Sequence, residues 1–429
     1  MAIIIKVEKQ FSKIIKPFVP TLPTLRHYKL GFIEEFVAFL KVGVVLFFSP
    51  VSDKHNPSQF FALQLEKSLE KTLTQFYPLA GRYIEENHMV DCSDQGVEFI
   101  WAKVNTTLQD FLSYKENDTT ITDEFIPACN INHDLLLATQ VTMFECGAVA
   151  IGVCATHMLF DASTLCTFIH EWAVMNRGEF IKTDQFTGAG FSSSCSLYTT
   201  RGLSPSPLMS VEMLTKYTRK KISLNESVIS KIKAANGTRH KWSKVQLVAA
   251  IIWKAFICVD QKIYNYLRES VLIQSINLRE KMASLIPKDS CGNIVGLFST
   301  EAGVAETTEA LTDLLSDSVR KTLTNYSKVY HDSEEGKTMV FDSFSQILNI
   351  PESTNAVILT SWCKFPFYEA DFGFGKPIWA APETITMINL TTLMDDAEGN
   401  GVEAYVFLET KDVPAFEEAL YQVINDFAA

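Results

Sequence analysis

The sequence predicts an α/β protein with two domains. At 429 residues the chain is longer than one hydrophobic core usually supports, so two domains are expected. Predicted strands and helices mix throughout, without the strict alternation of a Rossmann sheet. The stretch Thr183–Pro207 is rich in Gly, Ser, Thr and Pro, has no sustained period, and is the best candidate for a linker. We therefore expect an N-terminal domain over 1–182, a crossover linker over 183–207 and a C-terminal domain over 208–429.

The elements of the N-terminal domain follow from hydrophobic periodicity. Val42–Phe48 is a continuous apolar run typical of a buried strand, and Gln59–Gln75 carries apolar residues at helical spacing. Two further apolar runs, Ala138–Phe144 and Val149–Ala155, flank a short turn with a glycine and predict a β-hairpin. A helix is predicted to follow over Ala162–Asn176.

In the C-terminal domain, Ser243 is predicted to cap an apolar helix over Val245–Val259. The remaining elements are predicted from the same two periods, with strands at Val271–Ile276, Asn355–Thr360, Thr384–Leu390 and Glu403–Phe407 and helices at Thr307–Tyr330 and Val413–Phe427.

Composition and charge exclude several classes of protein. With 47% hydrophobic and 21% charged residues, the chain is neither disordered, nor a coiled coil, nor collagen-like. The net charge of −12 argues against nucleic acid or an anionic membrane as the main partner. Nine scattered Cys residues without a C-x-x-C pair indicate free thiols in a reducing compartment, so a cytoplasmic location is expected. The apolar start is too short for a signal peptide, and Phe36–Val51 is broken by Lys41, so no membrane span is predicted.

His157 is the candidate catalytic residue. Among eight His residues, only His157 has an Asp four positions later, in the segment His-Met-Leu-Phe-Asp. The predicted hairpin strand runs directly into it, and Asp161 or Ser163 can cap the helix that follows. A short loop between a buried strand and a helix is a common place for a catalytic side chain. By itself the spacing of His157 and Asp161 is more typical of a core His beside a capping Asp. The sequence contains no H-E-x-x-H motif, which disfavours a metal-dependent hydrolase.

A second candidate motif, Asp371–Pro377, has the sequence Asp-Phe-Gly-Phe-Gly-Lys-Pro. It places an acid, two aromatic residues and two glycines in a short stretch that ends in proline. A generic Gly-aromatic turn is the simplest structural interpretation, but the fixed order disfavours it. A phosphate-binding P-loop is excluded, because that motif requires Ser or Thr after the Lys, and Pro377 follows Lys376.

Together the two motifs resemble the paired HxxxD and DFGWG motifs of the plant BAHD acyltransferases. Segments along most of the chain are also similar to that family, namely Phe76–Arg82, Val90–Cys92, Asn277–Arg279, Gly292–Asn293 and Thr360–Trp362. Ile15–Pro20 and Phe144–Gly147 look most like the vinorine-synthase-like branch, which acylates alkaloid and other alcohols.

The resemblance implies a chloramphenicol-acetyltransferase-like fold with mixed β-sheets and an active-site channel between the domains. It also implies a monomeric enzyme that acylates a small-molecule alcohol, with acyl-CoA as co-substrate and acetyl-CoA as the default donor. His157 would be the general base, since an imidazole with a pKa near ~6.5 can take a hydroxyl proton at neutral pH. A direct ternary mechanism is expected, because the sequence has no G-x-S-x-G nucleophile elbow.

The acidic residues of both motifs are expected to be structural. By resemblance, Asp161 turns away from the substrate and pairs with Arg279, which would fix the loop that carries His157. The resemblance likewise gives Asp371, with Gly373 and Gly375, the role of shaping a turn away from the base.

Two further pairs of site residues are candidates, the first from the resemblance and the second from its place at a helix start. Thr360 and Trp362 are candidates to stabilise the oxyanion and hold the acyl group, although a plain strand end is an equal alternative. Ser243 and Lys244 are candidates for the CoA phosphates, because backbone N–H groups at a helix start favour phosphate. Each of these two could equally be a plain cap and a solvated charge.

Two departures from the family pattern bear on activity. Ala162 stands where the family commonly has Gly, and Phe374 stands where it has Trp, which keeps an aromatic ring but loses an N–H donor. A non-catalytic relative is therefore kept as an alternative. An N-acyltransferase is a further alternative, because the sequence does not identify the acceptor as an alcohol or an amine. A peptide-forming condensation domain is disfavoured, because such domains typically show His-His-x-x-x-Asp-Gly, whereas Thr156 precedes His157.

Overall fold

The computed structural model describes residues 5–50, 57–114, 120–128, 135–179, 215–237, 241–279, 290–303, 306–328 and 334–428. The chain divides into two compact units. The first comprises 1–207, 287–294 and 365–385, and the second comprises 208–286, 295–364 and 386–429. The predicted linker Thr183–Pro207 lies outside the described residues.

The strands of the described residues are numbered in chain order: β1 Val7–Ile15, β2 His27–Lys29, β3 Lys41–Phe48, β4 Arg82–Ile84, β5 Met89–Asp91, β6 Val97–Val104, β7 Leu137–Met143, β8 Val149–Thr156, β9 Tyr217–Leu224, β10 Ser270–Asn277, β11 Val295–Ala302, β12 Asn355–Ser361, β13 Trp379–Pro382, β14 Leu390–Asp395 and β15 Val402–Glu409. The α-helices are α1 Phe32–Phe36, α2 Pro57–Gln75, α3 Leu108–Tyr114, α4 Ala162–Asn176, α5 Glu226–Ala235, α6 Lys244–Tyr264, α7 Thr308–Lys328, α8 Glu334–Leu348 and α9 Val413–Phe427.

A six-stranded mixed sheet with the order β1-β6-β7-β8-β3-β13 forms the centre of the first unit. Its strands β6 and β7 are parallel, and the other neighbours are antiparallel. Every residue of β8 is buried, which explains its continuous apolar sequence. Helices α2 and α4 pack together, and the indole N–H of Trp172 donates to the carbonyl of Leu65 at 3.2 Å. A smaller sheet, β2-β5-β4, completes the unit's described strands.

The second unit contains a six-stranded sheet with the order β11-β10-β12-β14-β15-β9. Strand β12 is parallel to both β10 and β14, and the other neighbours are antiparallel. Alternate side chains such as Leu272, Val357, Leu393 and Ala404 form a hydrophobic core with residues of α6 and α9. This alternation is the period of two that a strand with one face on a core requires. Among the described residues, no helix has both the length and the apolar character to cross a bilayer.

The predicted α/β class with mixed sheets is confirmed, and so are the hairpin of β7 with β8 and the helix Ala162–Asn176. The predicted strand Thr384–Leu390 is wrong. Residues 384–389 lie between β13 and β14, and only Leu390 belongs to a strand. Thr384 leaves the ladder because it donates through its backbone N–H and hydroxyl to the carboxylate of Asp123. The motif Asp371–Pro377 also differs from expectation, since the structure places it in the first unit rather than with the C-terminal residues.

Candidate functional site

His157 lies where the buried strand β8 ends. Its backbone N–H donates to the carbonyl of Leu40 at 2.9 Å, which ties the loop to the residue just before β3. The next three side chains, those of Met158, Leu159 and Phe160, are completely buried and anchor the loop in the core. His157 itself keeps partial solvent exposure. Its imidazole is therefore both fixed and accessible.

The side-chain amide of Asn293 determines which nitrogen of His157 is basic. Asn293 is buried, and its Nδ2 donates to the carbonyl oxygens of His157 at 2.7 Å and Met158 at 3.1 Å. These two bonds orient the amide so that its Oδ1, which can only accept, lies 3.2 Å from His157 Nδ1. Nδ1 must therefore carry the proton, and Nε2 keeps its lone pair. The network assigns Nε2 as the atom that can accept a substrate proton.

The protonation state of His157 suits this role. Burial lowers its pKa below the ordinary value of 6.5, and hydrogen bonds to its own backbone and to Asn293, with the charge of Asp161, oppose that shift only in part. The imidazole is consequently neutral at pH 7, which is the form that a general base requires.

Asp161 fixes the loop through both of its carboxylate oxygens. Its Oδ1 accepts from the backbone N–H of Thr164 at 2.8 Å, so Asp161 rather than Ser163 caps α4. Its Oδ2 accepts from the backbone N–H of Ile294 at 3.1 Å. The hydroxyl of Thr164 reaches the same segment and donates to the carbonyl of Gly292 at 2.9 Å. The start of α4 therefore holds the segment that supplies Asn293.

Asp371 closes a tight turn within its own motif. Its Oδ1 accepts from the backbone N–H groups of Gly373 at 2.7 Å and Gly375 at 3.0 Å. Both glycines have positive φ, at 100° and 104°, a region that residues with a Cβ rarely adopt. The acid and both glycines of the motif are thus required by the turn itself.

The turn is attached to the C-terminal end of α4. Asn176 Nδ2 donates to the carbonyl of Phe372 at 2.7 Å, and the guanidinium of Arg177 donates to the carbonyl of Asp371. The ring of Phe372 packs edge-on against Trp172 with centroids 5.3 Å apart. Helix α4 spans about 22 Å, at ~1.5 Å per residue. The motif is therefore anchored at the C-terminal end of α4, whereas His157 lies just before the N-terminal end. The motif is too far from His157 to contact it.

Phe374 fills the position where the related motif has Trp. Its ring packs against Phe48 of β3 and Phe61 of α2, with centroids 4.9 and 5.1 Å apart. The contacts are purely aromatic, so the loss of an indole N–H leaves the packing role intact.

Replacing Asp371 with alanine is expected to lower stability without changing turnover much. The substitution leaves the N–H groups of Gly373 and Gly375 without their acceptor, at a cost of about 1–2 kcal/mol and a fall of a few degrees in Tm. Asp371→Asn, which retains an acceptor oxygen, should keep most of the stability. Glu369→Ala removes only a surface ion pair with Lys376 and serves as the matched control. Thermal unfolding and kcat are the measurements, and a large loss of kcat at unchanged Tm would contradict the structural role.

Five predicted site residues lie in the second unit, and three of them are Thr360, Trp362 and Arg279. Thr360 is on β12, with its hydroxyl 3.0 Å from that of Ser275, and Trp362 is buried with its backbone N–H donating to Leu393 at 2.7 Å. Arg279 is also buried in this unit. The oxyanion role of Thr360 and Trp362 and the pairing of Asp161 with Arg279 stay predictions.

Ser243 and Lys244 already have protein partners in the second unit. Ser243 caps α6 in a capping box, in which its hydroxyl accepts from Gln246 N and its N–H donates to Gln246 Oε1. The ammonium of Lys244 lies 2.7 Å from the carboxylate of Asp395 and donates to the carbonyl of Gly399 at 2.6 Å. A CoA phosphate would have to share or displace these contacts, so this assignment also stays a prediction.

Asn293 is the functional residue that the sequence analysis left without a role. The signal available was its place in Gly292–Asn293, but nothing local links it to a histidine 136 positions earlier. Within the described ranges, no group of His, Cys, Asp and Glu side chains is arranged to hold a metal ion.

Comparison with known proteins gives matches along nearly the whole chain. A family model described as the Transferase family matches residues 5–423. The chain is 32% identical to a pelargonidin glucoside malonyltransferase of Salvia splendens, over 95% of this chain and 96% of the relative. It is 30% identical to vinorine synthase of Rauvolfia serpentina over 99% of both chains, and 30% identical to stemmadenine O-acetyltransferase of Catharanthus roseus over 97% and 98%. The crystal structure of vinorine synthase superposes with a TM-score of 0.84 over 99% of this chain and 100% of that one.

Proposed function

The chain belongs to the Transferase family, the plant BAHD acyltransferases, and from that premise we propose that it transfers an acetyl group from acetyl-CoA to a hydroxyl of a plant specialised metabolite such as an alkaloid. Family membership makes it an acyl-CoA-dependent acyltransferase. One observation supports the detailed proposal most strongly. The amide of Asn293 holds His157 so that a neutral Nε2 is free to act as a base.

The proposed reaction proceeds in a ternary complex without an acyl-enzyme. Nε2 of His157 removes the hydroxyl proton as the alcohol oxygen attacks the thioester carbonyl, forming a C–O bond and a tetrahedral oxyanion. Collapse of this intermediate breaks the C–S bond and expels the CoA thiolate, which takes the proton back from Nε2. The proton on Nδ1 stays there throughout and remains hydrogen-bonded to Asn293 Oδ1, so the positive charge that forms on the imidazole meets a neutral acceptor.

Residues of the second unit are assigned the remaining roles in this proposal. Thr360 and Trp362 would donate to the oxyanion, and Ser243 and Lys244 would contact the CoA phosphates. Arg279 would pair with Asp161. The match of the Thr-Ser-Trp and Asn-Leu-Arg segments to the family pattern supports the roles of Thr360, Trp362 and Arg279. The support for Ser243 and Lys244 is their place at the start of α6. A monomer in the cytoplasm is also proposed. The location is proposed because the Cys residues described by the structure, from Cys92 to Cys363, are not in disulfides.

Acetyl is proposed over malonyl as the transferred group. The malonyltransferase relative and the O-acetyltransferase relative have similar identities to this chain, so identity does not decide between them. The Tyr-Phe-Gly-Asn-Cys signature of flavonoid malonyltransferases is replaced here by Ser290–Ile294, Ser-Cys-Gly-Asn-Ile. That difference favours the smaller, uncharged acyl group.

The proposal is tested by offering acetyl-, malonyl- and hydroxycinnamoyl-CoA to the protein. We expect a saturating acyl-CoA to raise Tm by several degrees, since ligand at ~100 Kd adds about 2.7 kcal/mol. With a panel of alcohol and amine acceptors, release of free CoA thiol should be fastest with acetyl-CoA and an alcohol. Faster release with malonyl-CoA would reject the acetyl donor, and release with amines alone would indicate N-acylation. No Tm shift with any CoA ester would favour a non-catalytic relative.

A further inference from the structure

A group of large apolar side chains is exposed on the first unit near the start of the chain. Phe18 is 65% exposed, Leu22 58%, Val19 51%, and Leu63 of α2 45%. We call these four residues the N-terminal patch. Soluble proteins rarely leave contiguous large apolar side chains exposed unless the surface contacts something else.

The patch is held in a defined place. The segment that carries it runs along α2, with the backbone N–H of Phe18 donating to the carbonyl of Glu70 at 2.8 Å and that of Val19 to the Thr74 hydroxyl at 3.2 Å. The ammonium of Lys13 lies 2.9 Å from the carboxylate of Glu66, one helical turn before Glu70. These bonds fix the backbone while leaving the apolar side chains directed to solvent.

Lysines surround the patch on a protein that is otherwise acidic. Lys67 and Lys71 follow Leu63 at four-residue spacing, so the three side chains form one exposed stripe of α2. Lys16 lies within the extended segment beside Phe18 and is also exposed. In the part of the chain that the structure describes, none of these three lysines is within ion-pair distance of a carboxylate. The three lysines outnumber the two partly exposed carboxylates near the patch, those of Glu70 and Asp94. The net charge of the whole chain is −12, so this small local excess of positive charge is opposite to the average.

We propose that the N-terminal patch is a docking surface for an anionic phospholipid bilayer. Apolar side chains inserted at the headgroup boundary and lysines above them are the two components of interfacial membrane binding. A protein partner fits less well, because protein interfaces are depleted in Lys and enriched in Tyr, Trp and Arg. The contact is peripheral, and it is independent of the proposed acyl transfer. The net negative charge of the chain disfavours contact with an anionic membrane over the surface as a whole, but it does not describe the N-terminal patch.

The test is flotation of the full chain with vesicles of phosphatidylcholine alone or with a quarter of phosphatidylserine, at low and high salt. We expect binding to the anionic vesicles at low salt and its loss at 0.5 M salt, because exposed charges are screened. The pair Lys67→Glu and Lys71→Glu should weaken partitioning at least about 25-fold, at roughly fivefold per lysine. Phe18→Ser with Leu22→Ser should weaken it at least about tenfold by removing inserted apolar surface.

Matched controls separate this surface from general charge and hydrophobicity. Lys231→Glu with Lys233→Glu changes the net charge equally on exposed positions of α5, and Tyr266→Ser with Tyr421→Ser removes exposed apolar side chains elsewhere. Both control pairs should partition like the wild type, and all variants should keep its Tm. Failure of the wild type to float with anionic vesicles, equal binding to neutral vesicles, or equal losses in the controls would overturn the proposal.

Discussion

Replacing His157 with alanine is expected to lower kcat by about 10²- to 10⁴-fold, the usual contribution of a positioned general base. The alcohol is a weak nucleophile until its proton is removed, and Nε2 is the base that the Asn293 network leaves free. Fold stability should change little, because the loop is anchored by its buried neighbours from Met158 to Phe160 rather than by the imidazole. The measurement is release of CoA thiol under saturating acyl-CoA and acceptor, together with Tm.

The control for this prediction is His27→Ala, an exposed His on β2 that is expected to leave both kcat and Tm unchanged. Unchanged turnover in His157→Ala, with acyl-CoA still bound, would reject His157 as the base. If acyl-CoA binds but neither wild type nor variant turns over, the non-catalytic alternative is favoured.

Replacing Asn293 with alanine is expected to lower kcat by about 10- to 100-fold without removing the base. The variant loses the acceptor that keeps the proton on Nδ1, so the imidazole can adopt the unproductive tautomer and rotate, and small misplacements of a catalytic group are costly. It also leaves the buried carbonyls of His157 and Met158 without their donor, so Tm should fall by several degrees.

The pH profile separates positioning from loss of stability. In the wild type, kcat/KM should fall with acid only below pH 6.5, because burial lowers the pKa of His157 and the neutral form persists to lower pH. Asn293→Asp places a carboxylate against Nδ1–H, which stabilises the imidazolium, so the acid limb should move to higher pH. A profile that does not move in Asn293→Asp would contradict the assignment of Asn293 as the positioning residue.

Asn176→Ala is the matched control for Asn293→Ala. Asn176 is also a buried amide, and it joins α4 to Phe372, with its Oδ1 accepting from the Ser68 hydroxyl at 3.0 Å. Its loss should lower Tm comparably. The pH at which kcat/KM falls should not change, because Asn176 lies at the far end of α4 from His157.

Local sequence patterns were sufficient for about half of the elements and for the candidate base. The apolar run of β8, the caps at Asp161 and Ser243, and the helical periods of α2, α4 and α9 are each encoded within a few residues. The one strand placed wrongly, at Thr384–Leu390, failed because its apolar alternation competes with hydrogen bonds to Asp123, which is 261 positions away in the chain.

The sequence by itself therefore determined the family, the fold class and the position of His157 between a strand end and a helix start. Only the tertiary structure assigned Asn293 as its partner, Nε2 as its basic atom, and the C-terminal end of α4 as the support of the Asp371 turn. The physical reason is the range of the interactions. Periodicity and capping act between residues within one or two turns, whereas a side-chain hydrogen bond forms between whichever polar groups the folded chain brings within about 3 Å.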